Sequence, residues 1–91
     1  MTIRKLNNFN YDIGNLLYDY RKRLTDLPKS RQGFIDNRSK AYFNGEEWIS
    51  EKTLINYENG KNVPSLQNLK KLALALEVDE SELVAEILKL I

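Results

Sequence analysis

The sequence predicts an all-α domain of five helices, and two observations carry that expectation. Apolar residues recur at steps of three and four, the period of a helix with one buried face. Between these stretches stand Ser, Asp, Asn-Gly and Pro at regular intervals, the residue types that start and stop helices.

The first helix is expected from about Asp12, with Ile13, Leu16, Leu17, Tyr20 and Leu24 along its apolar side. Residues 1–10 are expected to form an irregular arm, and residues 11–91 a single domain. "TDLPKS" ends the first helix, and the Ser30 hydroxyl is placed to cap a second, whose apolar positions are Phe34 and Ile35, with Ala41 and Tyr42 as further candidates. The segment 40–49, "KAYFNGEEWI", leaves two readings open. It forms either a small hairpin around Asn44-Gly45 or an extension of the second helix. Ser50 caps a third helix that turns Leu54 and Tyr57 inward and stops at Gly60. Pro64-Ser65 opens a fourth helix, with Leu66, Leu69, Leu72, Ala73 and Leu76 as its buried stripe. Asp79 with Glu82 three residues on makes a capping box for the last helix, which carries Leu83, Val84, Ile87, Leu88 and Ile91.

Composition narrows the chemistry. With no Cys and no His, thiolate and imidazole ligands for a metal are absent, so no metal and no cofactor is expected. Apolar runs are only a few residues long, too short for a membrane span, and the N-terminus lacks the apolar core of a signal peptide. A reducing, cytoplasmic setting is expected. Scattered Asp and Glu, without a nucleophile or a glycine-rich phosphate cradle, argue against an enzyme. The net charge of +1 hides an asymmetry: residues 21–40 carry +5 and residues 77–91 carry −4. A basic half suits a polyanion as partner, although solvated faces of either sign are as common.

The stretch "ISEKTLINYENGKNVPSLQNLKKLALALEVDESEL", residues 49–83, resembles the phage repressor and Cro family of helix-turn-helix proteins, the xenobiotic-response-element type. Ile49, Ser50, Leu54, Glu58, Gly60, Pro64, Leu69, Leu72 and Ala73 stand without a gap in that family's pattern. Upstream, "IGNLLYDYRKRL" is similar to the family's first helix, with Gly14 and Arg21 in characteristic places. The resemblance implies a lambda-repressor-like fold, double-stranded DNA as partner, and a transcription regulator, a dimeric repressor by expectation. An antitoxin-like or anti-repressor module that binds a regulatory protein partner is the alternative on the same helices.

Roles follow residue by residue. Glu51, Lys52 and Asn56 lie where the family presents side chains to base edges. Lys52 and Asn56, four apart, share one helix face and suit guanine and adenine respectively. Thr53, Asn59, Lys61 and Asn62 lie where the family meets phosphate and sugar, contacts that fix register. Arg21 and Glu58 resemble the family's ion pair between the first helix and the recognition helix. In the second helix, "SRQGFID" permits two registers, and the one that buries Phe34-Ile35 is preferred over the one that buries Asp36. Arg31 or Gln32 then meets phosphate from the helix start. The segment from Phe34 to Trp48 is longer than the family usually has. Arg38 and Lys40 within it are possible extra DNA contacts, while Tyr42, Phe43 and Trp48 are expected to cover the core. Leu88, Leu90 and Ile91 make the last helix more apolar at its end than a monomer needs, and are expected to form a dimer surface.

Overall fold

A computed structural model describes the backbone of residues 2–91 and the side chains of residues 10–91. Among the described residues there are five α-helices and no strand: α1 Thr2–Arg23, α2 Arg31–Tyr42, α3 Glu51–Glu58, α4 Leu66–Leu76 and α5 Glu80–Leu90. No helix is long and apolar enough to cross a membrane. Each of the last four helices begins with the residue that local chemistry selects. Ser30, Ser50, Ser65 and Asp79 hold extended backbone and accept the amide three residues on, from Gly33, Thr53, Asn68 and Glu82.

The segment expected as an irregular arm is helical from Thr2 onward, and its first residue, Met1, lies outside the described residues. Nothing between Thr2 and Gly14 in the sequence stops a helix, since it holds no Pro and no Gly. Asn7, Asn8 and Asn10 lower helix propensity without forbidding it.

Among the described residues, fifteen buried apolar side chains form one core fed by every helix, including Ile13, Leu17, Phe34, Leu54, Leu72 and Leu83. Phe34 and Ile35 are both buried and Asp36 is exposed, so α2 takes the register that spares a carboxylate from the core. Three apolar expectations fail. Ala41 and Tyr42 are exposed because α2 ends there, with the Tyr42 ring under the Arg38 guanidinium at 5.2 Å. Leu66 is 81% exposed at the first position of α4, ahead of the turns whose residues reach the core. Leu88, not expected in the core, is 63% exposed, off the face that carries Leu83 and Ile87 inward.

Segment 40–49 is neither hairpin nor continued helix. Asn44 and Gly45 both take positive φ, 58° and 79°, which ends α2. The chain then folds back on the helix it has left. The amides of Phe43 and Gly45 donate to the Ser39 carbonyl, and the Ser39 hydroxyl donates to the Glu46 carbonyl at 2.6 Å. Trp48 inserts beneath: its Nε1 donates to the Ile35 carbonyl at 3.1 Å. Its ring stacks on Phe43 at 4.9 Å and meets the edge of Phe34 at 6.2 Å. Phe43 and Trp48 cover the core as expected from sequence, and their packing replaces the strand pairing a hairpin would need.

Two devices fix α3 against α1. At Gly14 the helices touch: a Cβ there would lie 2.5 Å from the carbonyl oxygens of Tyr57 and Glu58, closer than any side chain tolerates. Beside that contact lies the Glu58 carboxylate, which accepts from Arg21 Nε at 2.7 Å and Nη2 at 2.9 Å, and from Arg31 Nε at 2.8 Å. Arg21 also donates through Nη1 to the Lys29 carbonyl at 3.1 Å. Glu58 and Arg21 are buried, so removing the carboxylate leaves a guanidinium without its counter-charge in a dry site. The Glu58→Ala variant is therefore expected to lose about 3–5 kcal/mol of stability. Urea unfolding followed by circular dichroism measures it, and a loss under 1 kcal/mol would contradict the role given to this carboxylate.

Candidate nucleic-acid interface

The third helix is short, and only one side of it enters the core. Leu54, Tyr57 and Glu58 are buried, which leaves Glu51, Lys52 and Asn56 to the outward side. Glu51 and Lys52 are exposed and Asn56 is half-buried. None of these three side chains makes a hydrogen bond or ion pair among the described residues. The Glu51 carboxylate, in the first turn, lies favourably at the positive end of the helix dipole.

The helix start is tightly built. Ser50 Oγ accepts from the Thr53 amide at 3.1 Å and donates to Thr53 Oγ1 at 2.8 Å, so the Thr53 hydroxyl is oriented by its own cap. The helix end is built as tightly by Gly60, at φ 78°. There the amides of Gly60 and Lys61 return to the carbonyls of Tyr57 and Asn56, at 3.1 and 2.9 Å. A side chain at position 60 would meet the Tyr11 backbone at 2.9 Å, so both the angle and the space require glycine. The turn that follows holds Asn59, Lys61 and Asn62, all exposed. Outward helix face and turn thus present one cation each, Lys52 and Lys61, with three Asn amides between and beside them.

Tyr57 fixes the opposite side of this unit. Its ring is buried and its hydroxyl accepts from Asn68 Nδ2 at 2.7 Å, tying α3 to α4. Pro64, buried at the end of the turn, leads directly to the Ser65 cap of α4.

The second helix contributes differently from expectation. Arg31 was assigned to phosphate on the strength of its place at the helix start. In the structure its Nε is committed to Glu58, and its side chain is 30% exposed. Gln32 is exposed and donates to Asp36 Oδ1 at 2.9 Å, a contact within its own helix. Arg38 is not available as an extra contact. It is 7% exposed, donates to Glu77 Oε2 at 2.7 Å, and grips the Asn37 side chain through two nitrogens. Lys40 is exposed near the end of α2. Sequence reasoning missed the Arg38–Glu77 link because the partners stand 39 positions apart and neither belongs to a motif.

Charge around α3 is mixed. Glu46, Glu47 and Glu51 are exposed at and before its start, against Lys52 and, past its end, Lys61. The larger cationic group lies on α1 and the turn after it, where Lys22, Arg23 and Lys29 are exposed. Among the described residues no group of carboxylates is arranged to hold a metal ion.

A family model described as helix-turn-helix matches residues 41–83, from the last turn of α2 to Leu83 in α5. No curated protein and no solved structure matches the chain. The matched span contains the whole of α3, its capped start, the Gly60 turn and the whole of α4, the parts whose geometry is described above. The match over residues 41–83 supports the resemblance to the phage repressor and Cro type of helix-turn-helix, a DNA-binding unit of transcription regulators.

Proposed function

We propose that the protein is a sequence-specific DNA-binding transcription regulator that reads its operator with α3. One observation carries the reading. Lys52 and Asn56 share the outward side of a short helix whose other side is locked into the core, within the segment that matches the family. The start of such a helix fits the major groove, where Lys52 donates to guanine O6 and N7 and Asn56 pairs with adenine N6 and N7. Glu51 accepts from cytosine N4 or supports the helix start. Thr53, Asn59, Lys61 and Asn62 lie along the phosphate rail, with Gln32 and the guanidinium nitrogens of Arg31 not held by Glu58 at the start of α2. Lys40 extends the footprint. Repression follows if the operator overlaps a promoter, so that the bound protein blocks polymerase in the cytoplasm.

A unit that reads a few base pairs gains specificity by pairing with a second copy on a two-fold operator. Leu88 and Ile91 are exposed and Leu90 is half-buried at the end of α5, which supports a dimer surface there. A protein-interaction module remains the second reading. The exposed Glu46, Glu47 and Glu51 favour it, because carboxylates flanking the start of α3 would repel phosphate.

Selection of bound duplexes from a random pool tests the main reading directly. Lys52→Ala and Asn56→Ala are each expected to weaken the selected site by about 1–3 kcal/mol and to relax one position of the half-site. No change in affinity or preference would remove α3 as the reading helix. Lys61→Ala is expected to weaken all duplexes alike and to lower the salt slope of binding by about one. A titration in which only the selected site weakens would make Lys61 a base contact instead. Light scattering at micromolar concentration tests the dimer: Leu88→Glu with Ile91→Glu is expected to halve the mass, and equal masses for variant and parent would exclude that surface.

A further inference from the structure

The turn between α1 and α2, residues 24–30, closes over a cavity of about 280 Å³ that the proposed DNA reading does not use. Its apolar lining comes from Leu24, Leu27, Pro28 and the buried Phe34. Exposed Lys22, Lys29 and Asp26 are among its lining residues, and the Lys22 ammonium lies over the Tyr18 ring at 5.6 Å. Asp26 holds a left-handed conformation, φ 64°, which Asp and Asn tolerate better than most L-residues. The turn is also tied down from below, since the buried Arg21 donates to the Lys29 carbonyl.

We propose that this cavity binds a small carboxylate carrying an apolar body about the size of one aromatic ring. The volume lies just under the range of about 300–1,000 Å³ typical of small-molecule sites, which restricts the occupant to a compact molecule. A neutral apolar ligand would use the wall and leave both lysine charges without a counter-ion. A DNA phosphate would meet the ammonium groups and gain nothing from Leu24, Leu27 and Phe34. An apolar acid uses both: its body covers the wall, and its carboxylate sits between Lys22 and Lys29. Arg21 joins this turn to Glu58 at the end of α3, so a seated acid bears on the position of that helix. That consequence rests on the DNA reading; the binding itself does not.

The test uses the full chain, labelled with nitrogen-15 and titrated with benzoate, with benzamide as the neutral control of the same shape. Benzoate is expected to give saturable amide shifts centred on residues 25–29 and Phe34, and benzamide none. The double variant Lys22→Gln with Lys29→Gln is expected to raise the dissociation constant about fivefold, the combined weight of two exposed charge contacts. Asp26→Asn, which keeps a residue type that tolerates positive φ, is expected to lower it. Both variants alter exposed side chains, and their dispersed amide spectra report that the fold is intact. Absence of saturable shifts at these residues would overturn the proposal. Equal binding of benzamide, or an unchanged constant in the double variant, would do the same. None of these outcomes depends on whether the protein binds DNA.

Discussion

The Glu58 carboxylate is where three otherwise separate parts of the chain meet. It closes α3, accepts from Arg21 on α1, and accepts again from Arg31 at the start of α2. Arg21 in turn reaches the Lys29 carbonyl in the turn between those helices. Burial makes the arrangement cooperative: each polar group in it would be costly alone, and together they are satisfied. Among the described residues no buried side-chain nitrogen or oxygen lacks a partner. Packing reinforces the same junction, because Gly14 lets the α1 backbone lie against the last carbonyls of α3. The outward side of α3 is therefore held at a fixed angle by charge at one end and by the Ser50 cap at the other.

Local chemistry was legible in the sequence and tertiary choice was not. Ser30, Ser50, Ser65 and Asp79 could be read as caps because a cap is decided by a side chain and an amide three residues away. Gly60 was legible for a similar reason, as the stop after an amphipathic turn. The exposed state of Lys52 followed from its spacing against Leu54 and Tyr57. Helical period names a face without saying how far a neighbour covers it, hence the misplacement of Leu66 in the core stripe. Arg38 shows the harder failure. It reads as a cation free for phosphate, yet it is held by a carboxylate 39 positions away, which no local pattern announces. Asn44-Gly45 likewise signalled a tight turn correctly, while its use was decided by where Trp48 finds a dry site.

Charge is distributed to match this division of labour. The strongest cations of the basic segment 21–40 are partly consumed inside the molecule, Arg21 and Arg38 wholly so. What remains at the surface around α3 is nearly balanced between carboxylates and ammonium groups. Binding that depends on such a face draws less on long-range attraction and more on fitted contacts, because opposed charges within a Debye length cancel at a distance.

The end of α4 carries a consequence of its own. Glu77 holds φ 60° and ψ 44°, a conformation that glycine occupies with less strain, at a position where the amides of Glu77 and Val78 close the helix. A carboxylate persists there as the counter-charge of the buried Arg38. Backbone ease and ionic need thus pull this site in opposite directions, and neither residue is at liberty to drift alone. Among descendants of this chain, glycine at 77 should arrive together with an uncharged residue at 38, so the two positions should co-vary as a pair.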